Sequence, residues 1–278
     1  MKITYFKNEV EVSDLDRTFS LESIRLSGQC FRITKLENSK YAIVAKDRLL
    51  IAEQYSDRVV FHCNQEDFDT VWEDYFDLDY DYKRCIIEGS RYDAFLKSAV
   101  HYGSGIRILK QDPWEMLITV IISQQNNIPR IAGIVDKLCN RCGDLIAAYD
   151  GINYYSFPTA EQIMDHYLEL KDIGVGFRDK YILDACKRIN SGYDLEVLKQ
   201  VPPEQATSEL KRFYGVGDKV ANCVSLFGLG HKDAFPRDVW INRIIDKYYN
   251  GDFDISRFEG FSGIIQQYMF YYERSITK

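Results

Sequence analysis

The side-chain period of this chain changes near Asp69, from short runs rich in β-branched and aromatic residues to apolar stripes at helical spacing. Before that point, residues 30–34, 41–45, 48–53 and 59–63 read as strands. Polar turns at 37–40 and 56–58 separate them, at the spacing of an antiparallel meander. After it the signals are helical. Asp112 and Pro113 suit an N-cap and first helical position, and Trp114, Leu117, Ile118, Ile121 and Ile122 follow at helical spacing. Residues 126–129 break that helix and start another. Gly174 and Gly176 stop a third before Phe177, Arg178 and Asp179 open a fourth. Pro202 and Pro203 precede a helix expected to reach about Tyr214. Asp238 can cap the next, and 258–274 reads as the last. The expected fold class is therefore α+β. An N-terminal antiparallel β-sheet domain, 1–98, packs tightly on an all-α core, 99–278.

Composition narrows the class further. With 278 residues, 46% of them apolar, and 20 Tyr and 16 Phe, the chain can bury a large core. It has no apolar run long enough for a membrane helix, and its first residues are not those of a signal peptide. The seven cysteines, at 30, 63, 85, 139, 142, 186 and 223, form an odd, scattered set expected to stay reduced. A cytoplasmic location follows, or a nuclear one in a eukaryote. The net charge of −7 argues against a nucleic-acid partner only until it is divided. Residues 1–100 hold 14 basic and 19 acidic groups, a net of −5; residues 171–247 hold 13 and 11, a net of +2. Phosphate contacts are local, so overall charge is a weak test of binding.

The most informative short segment is the turn Gly215, Val216, Gly217 between two helical stretches, a hairpin spanning about 210–222. A helix that starts after a glycine turn offers free N–H groups and a positive dipole end to a phosphate. Lys219 lies in the first turn of the second helix, and Asp238 follows 19 residues later. A lysine amine can act as a nucleophile once deprotonated, and a carboxylate can stabilise a cationic sugar as its base leaves. Singly, each has a plain alternative: a solvent-exposed lysine, a capping aspartate, a helix–helix turn. Together they point to chemistry on a nucleotide in DNA.

The pattern Gly-Val-Gly-x-Lys-Val-Ala followed by Pro-x-Asp-Val resembles the helix-hairpin-helix DNA glycosylases, specifically their lysine-bearing 8-oxoguanine DNA glycosylase/AP lyases. Four further segments, in the same order, extend the likeness from Gly28 to Phe270. The resemblance implies Lys219 as Schiff-base nucleophile and Asp238 as catalytic carboxylate. It implies that the carbonyl of Gly28, in Ser27-Gly28-Gln29-Cys30-Phe31-Arg32, accepts N7–H of the oxidised base. Guanine carries an acceptor at N7 where 8-oxoguanine carries a donor, and a buried mismatch of that kind costs about 1–3 kcal/mol. Cys223 and Phe270 would sandwich the flipped base, with Gln266 on its Watson–Crick edge. The segment 122–130, preceded by Gln111, Asp112 and Pro113, resembles the loop that fills the gap in the duplex. It assigns Gln125, Asn126 and Arg130 to the estranged cytosine and its surroundings. Phe177 would be the wedge, and Arg178 would join Arg130 at the estranged cytosine.

Three departures are visible. Gln124 and Gln125 replace the Ser-Asn of eukaryotic members. Phe177 replaces Tyr. Trp240 replaces a phosphate-contacting His and cannot titrate. The resemblance implies damaged double-stranded DNA as partner, a monomer, and a monovalent cation on hairpin backbone carbonyls, without side-chain ligands. No [4Fe–4S] cluster is expected, since no cysteine follows Cys223, and no zinc, since Cys139 and Cys142 are too few. The rivals are a helix-hairpin-helix glycosylase for an alkylated purine or oxidised pyrimidine, and a DNA-binding module without catalysis. Lys219 and Asp238 speak against the latter.

Overall fold

The computed structural model describes residues 1–15 and 17–277. Six antiparallel strands form the N-terminal sheet: β1 (Lys2–Tyr5), β2 (Val10–Ser13), β3 (Ile33–Lys35), β4 (Lys40–Ala45), β5 (Arg48–Gln54) and β6 (Arg58–His62), in the order β1-β2-β6-β5-β4-β3. The four strands expected from sequence are β3 to β6; β1 and β2 are additional. The alternation in β4 and β5 has a physical origin. Tyr41, Ile43, Leu50 and Ala52 face a core completed by Phe61, Phe68, Trp72, Tyr75 and Phe76. Ala42, Val44 and Ile51 face the other way, onto Tyr154. The register Ile43↔Leu50 and Ala52↔Phe61 keeps both sets in line.

Tyr154 belongs to a feature that the sequence did not announce. A two-stranded hairpin, β7 (Leu145–Tyr149) and β8 (Ile152–Tyr155), interrupts the helical part and covers the outer face of the sheet. Asp150 and Gly151 make its tight turn with φ of 51° and 76°.

The helical core is one continuous apolar cluster that runs from Tyr82 to Met269. At its centre lies the helix Pro113–Ser123, apolar on every side and buried from Met116 to Ile122. Asp112 caps it by accepting the Glu115 amide at 2.8 Å, and Pro113 occupies the first turn. The helix Ile128–Cys142 starts from Asn127, whose Oδ1 accepts the Arg130 amide at 3.0 Å. Helix Leu170–Ile173 ends at Gly174 in the left-handed region, and Asp179–Asn190 follows. The first helix of the glycine hairpin, Pro203–Leu210, stops four residues before Tyr214, leaving a longer turn before Asp218–Phe227. Val239–Tyr249 and Ser262–Ile276 complete the core. No helix among the described residues is long and apolar enough to cross a membrane.

The two halves are joined by buried polar bonds. Arg107 donates to the carbonyls of Thr18, Phe76, Asp77, Leu78 and Tyr80, and its guanidinium stacks on Tyr82, 4.2 Å from the ring centre. A buried guanidinium with that many acceptors fixes the seam between sheet and helices.

Candidate active site

A cleft of about 880 Å³ opens between the sheet domain and the helical core. Gly28, Gln125, Asn126, Gly217, Lys219, Cys223, Asp238 and Phe270 line it, drawn from five separate segments. Gln266 lies one turn before Phe270 on the same helix face, buried, with its Oε1 unpartnered. Arg130, Phe177, Arg178, Gly215 and Val216 stand outside the cleft wall.

Lys219 sits in the first turn of its helix, and its Nζ donates to Ser123 Oγ at 3.1 Å. Ser123 in turn donates to the Val120 carbonyl at 2.7 Å, so its oxygen is turned toward the amine. Burial pushes the Cys223 thiol up, an effect opposed by the Lys219 amine nearby. Asp218 does not face Lys219: it is exposed and paired with Lys211 at 2.9 Å. Asp238 caps Val239–Tyr249 by accepting the Ile241 amide at 2.9 Å, which fixes its carboxylate in the cleft wall.

The hairpin explains its own glycines. Gly215 has φ +80°, and an added Cβ would lie 2.5 Å from the Tyr181 ring. The turn therefore packs flat on Tyr181, which makes edge contacts to Phe177 at 6.0 Å and Tyr214 at 4.9 Å. Val216 anchors the turn by burial. Gly217 is the N-cap of Asp218–Phe227, with no side chain capping it. The first amides of that helix have no intrahelical acceptor, the condition for an anion site at a helix start. The turn's oxygens are backbone carbonyls, of which those of Phe213 and Gly217 already accept the amides of Val216 and Ala221. Among the described residues no group of three or more His, Cys, Asp or Glu gathers as a metal set. Cys139 accepts a bond from Arg32.

Gly28 is held by its neighbours. Its φ is +82°, and an added Cβ would meet Ile128 Cδ1 at 3.1 Å. Gln29 is buried, donates to Ser27 Oγ and Arg107 O, and accepts the Leu109 amide at 2.8 Å. Gln111 is also buried and donates to the Gln29 carbonyl at 2.9 Å. Sequence reading grouped Gln111 with the gap-filling loop. Its side chain instead braces the Gly28 turn, because the helix Pro113–Ser123 separates it from that loop.

The loop itself is under conformational constraint. Gln125 is exposed with φ +48°. Arg178 is buried beneath it, donating to the carbonyls of Gln124 and Gln125 and to Val175. The same guanidinium lies 4.5 Å from the Phe177 ring centre. Burial lowers the Arg178 pKa, and the nearby charge of exposed Arg130 adds to that. Phe177 is 44% exposed, unusual for a phenylalanine beside a packed core. Asn126 donates to the Ile122 carbonyl at 3.2 Å and so extends the preceding helix rather than reaching out.

Among the cleft residues to which the sequence assigns no role are Ser123, Arg237 and Arg274. Ser123 stood inside a recognised segment. Arg274 lies one turn beyond Phe270 on the same helix face, a spacing that would have found it. Arg237 adjoins Asp238 and donates to Asn242 Oδ1 at 3.1 Å.

The family description "8-oxoguanine DNA glycosylase, N-terminal domain" matches residues 11–117, and "HhH-GPD superfamily base excision DNA repair protein" matches 118–256. The chain is similar over its full length to a solved structure of MBOgg1 with a low-affinity DNA ligand, at 37% identity and a TM-score of 0.93, covering all of both chains. It is similar to the Clostridium acetobutylicum 8-oxoguanine glycosylase/lyase bound to DNA with cytosine opposite 8-oxoG. That match has 35% identity and a TM-score of 0.91, covering 100% of this chain and 99% of the other. A curated N-glycosylase/DNA lyase of Saccharomyces cerevisiae is 38% identical over 158 residues, 52% of this chain and 42% of that protein. The aligned stretch thus spans less than half the length of that relative. The two matched regions meet inside the helix Pro113–Ser123 and together cover every cleft residue before the final helix: the chain belongs to the HhH-GPD superfamily of base excision DNA repair proteins, with an 8-oxoguanine DNA glycosylase N-terminal domain.

Proposed function

We propose that the chain is a bifunctional DNA repair glycosylase that removes 8-oxoguanine from duplex DNA and then cleaves the abasic strand. One observation carries the reading. An amine, Lys219 Nζ, is held 3.1 Å from Ser123 Oγ in the same cleft as a fixed carboxylate, Asp238, and a glycine in the left-handed region, Gly28.

The damaged nucleotide leaves the stack and enters the cleft, an unstacking that costs a few kcal/mol. The open amides after Gly217 grip the backbone phosphate, and Phe177 occupies the vacated stack. Gln125 and Arg130 meet the orphaned cytosine. Arg178, released from or acting through the Gln124 and Gln125 carbonyls, steadies them. Cys223 and Phe270 flank the base, Gln266 takes its Watson–Crick edge, and the Gly28 carbonyl accepts N7–H.

Lys219, deprotonated, attacks C1′ through its nitrogen lone pair. The N-glycosidic bond breaks with its electron pair leaving on N9, which takes a proton. Asp238 stabilises the positive charge at the sugar while this bond opens. The attached amine gives up one proton, the C1′–O4′ bond breaks with its pair leaving on O4′, which takes a proton, and the nitrogen lone pair forms a protonated Schiff base with C1′. A C2′ proton then departs, and the C3′–O bond breaks to release the strand. The hairpin carbonyls, a backbone-oxygen set, are the place for a monovalent cation, which would stiffen the phosphate grip.

Base release from duplexes containing 8-oxoguanine, 3-methyladenine or thymine glycol tests the substrate. Release of 8-oxoguanine at least about tenfold faster than of the other two is expected. Preferred release of either rival would overturn the assignment and leave a glycosylase for another damaged base.

A further inference from the structure

The final helix, Ser262–Ile276, presents Gln266, Phe270 and Arg274 on one stripe, four residues apart. Phe270 and Arg274 line the cleft. The Arg274 guanidinium stacks 5.0 Å from the centre of the Phe270 ring. Its Nη1 is buried and has no hydrogen-bond partner. That atom points at the Gly28 turn: a Cβ added at Gly28 would lie 3.5 Å from it and 3.6 Å from the Phe270 ring. No carboxylate among the described residues pairs with Arg274; burial lowers its pKa, an effect opposed by the nearby Tyr271 and Asp238. A guanidinium is donor-only, and a buried donor left unmade is costly, so a ligand acceptor placed there is favoured.

We propose that Arg274 is a specificity-determining residue that donates from Nη1 to a carbonyl oxygen of the flipped base. The inference rests on the 8-oxoguanine reading above and deepens it. In 8-oxoguanine, N7–H lies between two acceptors, O6 and O8. The Gly28 carbonyl and the Arg274 guanidinium together form an acceptor beside a donor, the complement of that edge. Guanine keeps O6 but offers N7 as an acceptor to the Gly28 carbonyl. Adenine presents an amine where O6 would stand, a donor facing a donor. Arg274 thus reads oxygen where Gly28 reads hydrogen. Its place over Phe270 keeps the guanidinium beside the base that the same ring would support.

The test compares two rates in the full chain: single-turnover release of 8-oxoguanine opposite cytosine, and strand cleavage at a preformed abasic site opposite cytosine. Arg274→Met should lower the ratio of the first to the second at least about tenfold, and Arg274→Lys should restore part of it. An unchanged ratio, with or without a common loss of both rates, would overturn the proposal, since a structural prop or a partner of Asp238 would move both together. Thermal melting of each variant reports folding separately. Failure of the wild type to release 8-oxoguanine would sink the parent reading and this one together, whereas wild-type release with an unaltered Arg274→Met ratio sinks this one alone.

Discussion

Two helices begin on the wall of one cleft, and they begin differently. Val239–Tyr249 is closed at its start by its own residue: Asp238 accepts the Ile241 amide. Asp218–Phe227 starts at Gly217 with no side-chain cap. A helix N-terminus is a weak anion site in either case, but only the second leaves its amides to a ligand. The difference teaches how one structural device serves two purposes. Where a carboxylate must hold still, the helix start immobilises it. At the proposed phosphate grip, the position that usually carries a cap is a glycine, and stability is given up locally.

The largest effect should come from breaking the closed end in two ways. Asp238→Asn keeps a capping oxygen and removes the charge, so excision should fall about 100-fold or more with little change in melting temperature. Asp238→Ala should match that loss and also cost about 1 kcal/mol of stability in a denaturant titration. Equal stability for the two variants would contradict the capping role.

A smaller effect is expected from closing the open end. A Cβ at Gly217 meets nothing within 4 Å, and its backbone is in an extended conformation that any residue adopts, so Gly217→Asp is sterically free. The new carboxylate should cap the helix, adding a few tenths of a kcal/mol of stability. It should also weaken duplex binding on the order of tenfold and reduce the salt dependence by about one phosphate contact. Binding isotherms at several salt concentrations check this; unchanged affinity would mean that phosphate is gripped elsewhere.

The smallest effect belongs to the amine's anchor. Ser123→Ala removes the 3.1 Å contact to Lys219 but leaves the helix intact, so a loss of only a few-fold in single-turnover excision is expected. A loss as great as that of Asp238→Asn would make Ser123 part of the chemistry rather than a support.

Sequence legibility followed the same division. Strands β4 to β6 and the Asp112, Asn127 and Asp238 helix starts were readable because period and capping chemistry are local. β1 and β2 escaped notice because four-residue strands carry too few alternations, although Val10 and Val12 are fully buried. The β7–β8 hairpin escaped because residues 145–149 suit a helix equally well. Its signal was the Asp150-Gly151 turn, and its reason is tertiary: Tyr154 covers Ala42, Val44 and Ile51. Among site residues, Lys219 and Asp238 were legible from their spacing behind the glycine turn, Gly28 and Phe270 from the family resemblance, and the four meet in one cleft. Gln111 and Arg178 resisted because their roles lie in bonds to distant carbonyls, at Gln29 and at Gln124 and Gln125. No local pattern encodes such a contact. Arg274 was within reach, since it shares the face that carries Gln266 and Phe270.

The central claim is that Lys219 is the nucleophile. Borohydride trapping on a duplex with one 8-oxoguanine opposite cytosine tests it most directly, with wild type and Lys219→Gln side by side. A covalent protein–DNA adduct with wild type and none with Lys219→Gln is the predicted result. An adduct of equal yield in Lys219→Gln, or base release by wild type with no adduct at all, would contradict it.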